Sequence, residues 1–248
     1  MSTRTPLEPA RPLPGVELVW SGLTADHRAH ALARRDILDA EETARLTAFV
    51  HDRDRDTYAV AHVTLRELLG ERLGLPPAEV KLARRPCVGC GGPHGRPHVP
   101  GDPVHFSLSH AHDAVLIALA ERAVGIDVET LPTPATALDV AEQLHPAERG
   151  ELRLLHRLDR PAELTAAFAR CWTRKEALLK GTGAGLNEDL TLRYVGTGPR
   201  PAPQNGWLLA DLPAPAGCAA ALAVAAPDTA PDGASHRAPY GGTGIKHP

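Results

Sequence analysis

The sequence predicts an α+β fold built from two similar halves. A stretch with strand-like alternation comes first, a long region with helical spacing follows, and a set of short apolar strands then closes the half. The same succession of strand, helix and strand appears again after about residue 118, although the halves show no clear sequence repeat. A chain of 248 residues can bury a sizeable core in one large domain or two small ones.

Seven stretches carry strand patterns, either period-2 alternation or a short apolar run bounded by turn residues. They cover residues 16–20, 104–109, 114–120, 124–129, 190–195, 206–210 and 218–226. Only short turns separate the second, third and fourth stretches, so we expect these three to be consecutive antiparallel strands.

Helical spacing of apolar residues marks two main regions. The first covers residues 39–73, where Asp39 can cap the first helix. The second ends at Lys180, and Gly181 is expected to be its C-cap. Residues 130–160 contain several prolines and are predicted to be helical from about residue 145.

The remaining segments are predicted to lack regular structure. Residues 84–103 hold five prolines and five glycines, which is typical of a loop. Residues 1–15 are rich in proline, and residues 227–248 are rich in glycine, proline and polar residues, so both ends are predicted to be disordered. The expected domains are therefore an N-terminal half over 16–118 and a C-terminal half over 119–226.

Charge and hydropathy exclude several classes of protein. The net charge of −3 gives no strongly basic face for nucleic acid. The N-terminus shows no charged start followed by an apolar stretch, so we expect no signal peptide. The longest apolar run, 218–226, is too short to span a bilayer. We expect a soluble, cytoplasmic protein with no membrane or nucleic-acid partner.

Residues 125–129 place two acids on one face of a predicted strand. Ile126 and Val128 alternate with Asp127 and Glu129, so the apolar pair faces a core and the two carboxylates share the other face. Nearby carboxylates repel each other unless a cation lies between them, and Mg²⁺ takes few protein carboxylates together with water and phosphate oxygens. The alternative is a polar sheet face with two solvated acids.

A second candidate group lies on the helix that ends near residue 180. Trp172, Glu176 and Lys180 are four residues apart and therefore share one face. An ordinary surface Glu–Lys pair would explain this spacing equally well. Only four of the 27 basic residues are Lys, however, and two of them, Lys175 and Lys180, fall in this window. This concentration favours a function that needs an ammonium group.

The four cysteines are Cys87, Cys90, Cys171 and Cys218. The first two, with His94 and His98 nearby, have the spacing of a zinc site. A closed structural site needs four well-placed ligands, and this loop is dense in glycine and proline. We expect a reduced, solvent-facing pair of thiols and keep zinc as the alternative.

Four motifs, in this order along the chain, resemble those of the 4′-phosphopantetheinyl transferases. They are Gly95-Arg96-Pro97, His105 to His110 as an F-x-I-S-H strand, G-I-D-V-E at 125–129 and W-x-x-K-E-A-x-x-K at 172–180. The resemblance spans roughly residues 45–195 and is greatest to the monomeric type that activates surfactin synthetase and other peptide and polyketide synthases. One motif alone would be weak evidence, whereas four in order are specific.

The resemblance implies two α+β halves with antiparallel sheets, related by pseudo-twofold symmetry, with the cofactor in the cleft between them. It implies Mg²⁺-dependent transfer of 4′-phosphopantetheine from coenzyme A to a serine of an apo acyl, polyketide or peptidyl carrier protein. Adenosine 3′,5′-bisphosphate would be released. The carrier protein would dock near the 130–160 insert, and the enzyme would be a monomer.

The resemblance also assigns roles to individual residues. Asp127, Glu129 and Glu176 would hold Mg²⁺, with Glu176 also acting as the base, directly or through water. Lys180 would neutralise or protonate the departing phosphate. The residues implied in coenzyme A binding are Arg45, Arg53 (or Arg55), Gly95, Arg96, Pro97, Ser109, His110, Lys175 and Lys180.

Two other functions remain open from the sequence. A non-catalytic carrier-docking or zinc-bearing interaction module could use the same scaffold, but it would tolerate loss of the acids or of Lys180, and all are present. A different Mg²⁺-dependent phosphotransferase would be expected to carry a Walker-type loop. The glycine-rich run at 181–185 follows a helix instead of opening one, so it does not fit that motif.

Overall fold

The computed structural model describes residues 13–185 and 188–227. The disorder predicted for residues 1–15 and 227–248 therefore concerns segments that lie almost entirely outside the described residues. None of the helices in the described part of the chain combines the length and the apolar character needed to cross a membrane.

The described residues contain eight strands, six α-helices and two short 3-10 helices. The strands are β1 (Val16–Gly22), β2 (Ala83–Arg84), β3 (Pro97–His98), β4 (His105–Ala111), β5 (Ala114–Ala120), β6 (Val124–Thr130), β7 (Trp207–Leu212) and β8 (Cys218–Ala225). The helices are α1 (Ala25–Ala33), α2 (Ala40–Ala48), α3 (Asp52–Leu73), α4 (Pro134–Ala141), α5 (Pro146–Arg157) and α6 (Pro161–Thr182).

The two halves have the same strand order, which confirms the predicted α+β fold with antiparallel sheets. In the first half, one strand, a 22-residue helix and a pair of strands give the sheet β1-β5-β4. In the second half, one strand, a 22-residue helix and a pair of strands give the sheet β6-β8-β7. Every neighbouring pair in both sheets is antiparallel. The boundary predicted between residues 118 and 119 falls inside β5; we propose that the halves divide in the turn between β5 and β6.

The expectation of three consecutive antiparallel strands is wrong for the third one. β4 and β5 pair as expected, but β6 pairs with β8 and begins the second sheet. β6 lies beside β4, where serine hydroxyls of β4 take the place of a backbone ladder. The Ser107 Oγ accepts from the Ile126 N–H at 3.0 Å, and the Ser109 Oγ accepts from the Val128 N–H at 3.3 Å. These contacts join the two sheets at the strands that carry the candidate site.

The strand predicted at 190–195 is also wrong, because side chains take up its backbone groups. The buried Lys175 ammonium donates to the carbonyl of Leu190, at 2.9 Å, and to that of Arg193. The buried Glu148 carboxylate accepts from the Val195 N–H at 2.7 Å. The segment is held by these two side chains and forms no sheet ladder.

The C-cap of α6 lies two residues later than predicted. The residue in the left-handed conformation is Gly183, with φ of 76°, and its N–H donates to the Leu179 carbonyl. Gly181 is still inside the helix and is buried against the Trp207 ring. A glycine is needed there for close packing.

Three buried clusters form the core. The first packs α3 against β4 and β5, and the second packs α4 to α6 against β8. The third cluster contains residues from both sheets, among them Leu116 of β5, Ile126 and Val128 of β6 and Leu222 of β8. Since Ile126 and Val128 point into this core, Asp127 and Glu129 are left on the opposite face of β6, as the alternation predicted.

Gly125 allows α6 to lie directly against β6. A Cβ atom at Gly125 would be 2.0 Å from the Ala177 carbonyl oxygen and 2.3 Å from the Gly181 nitrogen. Both are backbone atoms of α6, so no side-chain rotation could make room. This approach places Glu176 and Lys180 beside the acidic face of β6.

We expect Gly125→Ala to destabilise the protein by about 3 kcal/mol, the upper part of the range for overpacking a core. Gly150→Ala is the matched control, because Gly150 lies inside α5 and a Cβ there meets nothing within 4 Å. That change should stabilise the protein by about 0.5–1 kcal/mol, since Ala is the better helix former. Denaturant unfolding of the two variants measures both effects, and equal stabilities would contradict the packing argument.

Candidate active site

A cavity of about 710 Å³ lies between the two halves. The first half contributes, among others, His62 of α3, Arg96 and Pro97 of the β2–β3 hairpin and Phe106 of β4. The second half contributes Glu176 and Lys180 of α6 and the turn that follows. We call this space the interfacial cavity. Internal interfaces of this kind are frequent ligand sites.

Asp127, Ser109 and Lys180 form a hydrogen-bonded group beside the interfacial cavity. The Asp127 Oδ1 accepts from the Lys180 Nζ at 2.7 Å and from the Ser109 Oγ at 2.9 Å. The Lys180 Nζ also lies 2.9 Å from the Ser109 Oγ. The Asp127 side chain is 3% exposed and that of Lys180 is 32% exposed. The ammonium therefore connects the buried acid to the cavity wall.

Glu129 and Glu176 complete the acidic group. Burial raises the pKa of Glu129 to about 7, with Asp127 adding to the rise and Lys180 opposing it. Burial also raises the pKa of Glu176, and Asp127 again adds to the rise. The Trp172 side chain, like Lys180, lowers the pKa of Glu129 and so opposes part of this rise. One face of α6 thus meets the acidic face of β6, as the four-residue spacing of Trp172, Glu176 and Lys180 predicted.

The donor set suits a hard divalent cation. The Asp127 Oδ2 is buried and has no hydrogen-bond partner among the described atoms. One ammonium does not neutralise three carboxylates, so the charge of Asp127 adds to the effect of burial in raising the pKa values of Glu129 and Glu176. The three acids do not form a compact cage, however. In the described ranges, only a different group brings three metal-binding atoms within 4.8 Å of one another. An open set of carboxylates fits Mg²⁺, which keeps waters and takes phosphate oxygens.

The β2–β3 hairpin forms the opposite side of the interfacial cavity. The Arg96 Nη1 donates to the Gly181 carbonyl at 2.6 Å, so the hairpin is tied to the last turn of α6. A Cβ at Gly95 would be 2.5 Å from the Arg85 carbonyl oxygen, which explains the glycine. Gly95, Arg96 and Pro97 all line the cavity, where the sequence placed them.

The arginines of α2 and α3 that the resemblance implied in coenzyme A binding do not line the interfacial cavity. Arg53 donates to Asp113 at 2.9 Å and to His112 at 2.9 Å, and Arg55 pairs with Asp52. Arg45 is exposed on α2 and does not line the cavity. His110 is likewise exposed, at the end of β4, outside the lining residues.

The expected contact between Lys175 and the cofactor is wrong. The Lys175 side chain is 2% exposed, and its Nζ lies 2.9 Å from the Glu148 Oε2, which is fully buried. Lys175 is five residues before Lys180, so the two side chains leave α6 in different directions. Lys175 fixes α6 to α5 and to the 190–196 segment, and only Lys180 reaches the cavity.

Sequence reasoning missed a network around the buried Arg66 that forms part of the cavity wall. The Arg66 side chain is 1% exposed and donates to Glu42 at 2.5 Å and to Asp39 at 2.6 Å. The His62 ring lies 2.9 Å from Glu42 and stacks on Tyr58. The signal was present, because Asp39 and Glu42 have the spacing of a capping box, which the structure contains.

Arg84 was also missed. It lines the interfacial cavity, as Arg96 does. Its guanidinium is paired with the Glu41 carboxylate at 3.2 Å. Nothing in the local sequence separates Arg84 from the many other arginines, since its position depends on the short β2–β3 pairing.

Comparison with known proteins identifies a family model and several relatives that match this chain. A family model described as the 4′-phosphopantetheinyl transferase superfamily matches residues 123–222. The 4′-phosphopantetheinyl transferase HetI of Nostoc sp. is 32% identical over 200 residues, covering 76% of this chain and 78% of the relative. The 4′-phosphopantetheinyl transferase psf-1 of Bacillus pumilus is 28% identical over 187 residues, covering 75% and 69%.

A further relative is matched over a shorter length. The 4′-phosphopantetheinyl transferase of Bacillus subtilis is 27% identical over 152 residues, covering 60% of this chain and 62% of the relative. The matched residues of the family model contain β6, α6, β7 and most of β8, and so include all three acids and Lys180.

Proposed function

Because this chain belongs to the 4′-phosphopantetheinyl transferase superfamily, we propose that it transfers 4′-phosphopantetheine from coenzyme A to a serine of an apo carrier protein. Adenosine 3′,5′-bisphosphate is the second product, and the reaction depends on Mg²⁺. The carrier is an acyl, polyketide or peptidyl carrier domain of a biosynthetic enzyme. We also propose that the protein acts as a monomer in the cytoplasm.

One observation carries this proposal. Lys180 and Glu176 line the interfacial cavity, and Lys180 is paired there with the buried Asp127, which shares its face of β6 with Glu129. Splitting a pyrophosphate builds negative charge on the leaving phosphate, so the reaction needs positive charge held in place more than it needs covalent chemistry. Lys180 supplies one positive charge, and the three carboxylates could hold a cation that supplies more.

Asp127, Glu129 and Glu176 are the residues that would hold Mg²⁺. When bound, the cation would polarise the pyrophosphate and neutralise its charge. The unpartnered Asp127 Oδ2 supports Asp127 as a ligand, because a buried carboxylate oxygen otherwise lacks compensation for its lost hydration.

Lys180 is proposed to neutralise the departing phosphate. Its Nζ is held by Asp127 and Ser109 and is partly exposed at the cavity. Ser109 therefore acts as a positioning residue for the ammonium. Glu176 lines the same cavity and is proposed as the base for the serine hydroxyl, directly or through a water molecule.

Coenzyme A is proposed to lie against the β2–β3 hairpin, with Gly95, Arg96 and Pro97 at its adenine and phosphate end. Arg84 joins this group as the second arginine of the wall. Arg45 remains a proposed contact for the 3′-phosphate. Arg53 and His110 also remain proposed contacts. Neither lines the interfacial cavity, so the ligand would have to extend beyond the cavity to reach them.

The test is incubation of the protein with coenzyme A, Mg²⁺ and a panel of apo acyl, polyketide and peptidyl carriers, read by intact mass. We expect at least one carrier to gain a single phosphopantetheine group, and the same carrier with its acceptor serine replaced by alanine to gain none. A chelator should stop the reaction. A folded protein that modifies no carrier in the panel would favour the non-catalytic docking module instead.

A further inference from the structure

We propose that Cys87, Cys90 and His94 bind a Zn²⁺ ion at the tip of the β2–β3 hairpin. In the described residues, this is the group of three metal-binding side chains whose ligand atoms all lie within 4.8 Å of one another. The Cys90 Sγ and the His94 Nε2 are 3.0 Å apart. The expectation of a solvent-facing thiol pair is wrong for Cys87, which is buried, whereas Cys90 is exposed.

The distances are close to those that zinc requires. With Zn–S of about 2.3 Å and Zn–N of about 2.0–2.1 Å, tetrahedral geometry separates two sulfurs by about 3.8 Å and a sulfur from a nitrogen by about 3.6 Å. The observed Cys90–His94 separation needs to open by only about 0.6 Å to reach that value. The two residues between the cysteines also match the spacing of zinc-ligating cysteines.

The backbone brings the three ligands together without help from the metal. The Cys87 carbonyl accepts from the Gly91 N–H at 2.8 Å, and the Cys87 N–H donates to the Gly92 carbonyl at 2.7 Å. Gly91 has φ of 73°, which favours glycine. A Cβ at Gly92 would lie 3.0 Å from the His94 ring, so a larger residue there would push the ring away. The turn is thus built for close approach of the ligands.

The ligand chemistry selects the ion. Two thiolates and one imidazole suit zinc, and hard cations such as Mg²⁺ prefer oxygen. Binding displaces the two thiol protons, and the two thiolate charges then balance the charge of Zn²⁺. His98 is outside the group, with its ring Nδ1 3.1 Å from the Ala83 carbonyl. Solvent therefore supplies the fourth ligand.

The consequence concerns the wall of the interfacial cavity. The β2–β3 ladder has only two residues in each strand, and such short hairpins are marginally stable. Cys87 lies on the outgoing arm and His94 on the returning arm, immediately before Gly95 and Arg96. A metal ion bound between them would fix the hairpin in the position at which Arg96 reaches the Gly181 carbonyl.

The test is a metal analysis of the full-length protein, purified reduced and dialysed against Zn²⁺. We expect about one zinc per chain, and Co²⁺ loading should give thiolate charge-transfer absorption with the d–d bands of a four-coordinate ion. Cys90→Ser, chosen because Cys90 is exposed, should weaken zinc affinity by more than about 100-fold, since even outer-shell changes cost 10–100-fold. Cys218→Ser is the control with the same number of thiols, and it should bind zinc as the unaltered protein does.

A second readout follows the hairpin itself. Hydrogen exchange of the amides in residues 85–96 should slow at least about tenfold when zinc is added to the metal-free protein, and should not change in Cys90→Ser. The proposal is overturned if no zinc is retained, if copper or iron is found in its place, if the two cysteines form a disulfide instead, or if Cys90→Ser keeps its zinc. None of these measurements depends on transferase activity, so they can fail while the proposed function stands.

Discussion

Asp127→Asn is expected to lower turnover by more than about 100-fold, because it removes a proposed metal ligand and outer-shell changes alone cost 10–100-fold. The fold should persist. The substitution keeps the shape of the side chain, Lys180 is partly exposed and can be solvated, and one of three repelling carboxylates disappears. Rates with a responsive carrier and the melting temperature measure the two effects.

Asp211→Asn is the matched control. Asp211 is also a carboxylate paired with a cation of α6, since it accepts from Arg174 at 2.7 and 2.6 Å, but its partner Arg174 does not line the interfacial cavity, whereas Lys180, the partner of Asp127, does. Arg174 is fully buried, so losing its partner should cost about 3–5 kcal/mol of stability. The control should therefore be less stable but active. An active Asp127→Asn variant would refute the assignment of Asp127 as a metal ligand.

The second large effect concerns the two lysines of α6. Lys175→Met leaves the fully buried Glu148 carboxylate without its ammonium, and breaking such a pair costs about 3–5 kcal/mol. Lys180→Met should cost less stability, because its ammonium is 32% exposed and Asp127 keeps the Ser109 hydroxyl as a hydrogen-bond donor. Turnover should show the reverse order, with Lys180→Met almost inactive.

Unfolding free energies and turnover of the two variants, measured side by side, check this prediction. Methionine preserves the length of the lysine side chain in both cases, so packing differences are small. If Lys175→Met were stable and Lys180→Met unstable, the division of the two lysines between fold and chemistry would be wrong.

Much of the site could be predicted from periodicity. A strand repeats every two residues and a helix every 3.6, so the faces that carry Asp127 with Glu129, and Glu176 with Lys180, follow from the sequence alone. The same rule, applied to Lys175, would have placed it away from Lys180. The cofactor contact of Lys175 was implied by the resemblance to the family, and the helix geometry does not support it.

Long-range pairing could not be predicted in this way. Arg53 is held by Asp113, sixty residues later, and nothing near Arg53 indicates that partner. The 190–195 segment has a strand-like pattern, yet Lys175 and Glu148 take its backbone groups. β6 follows β5 after a short turn, but the serines of β4 and the strand β8 determine its neighbours.

Two short helices escaped prediction although their caps are in the sequence. Thr24 caps α1, and Thr133, followed by proline at the first helical position, caps α4. Both helices are under ten residues long, so too few turns are present for the apolar spacing to stand out. Capping residues would have been the better signal here.

The most direct test of the cation's place between the carboxylates and the pyrophosphate is calorimetric titration of coenzyme A with and without Mg²⁺. Three acids grouped at one side of the cavity disfavour an anionic ligand until a cation is present, so each ligand should raise the affinity of the other by the same factor. We expect a coupling of about 1–3 kcal/mol, or about 5–150-fold in affinity, and a smaller value for Glu129→Gln. Identical coenzyme A affinities in the two titrations would contradict the account, because the cation would then not lie between these carboxylates and the pyrophosphate.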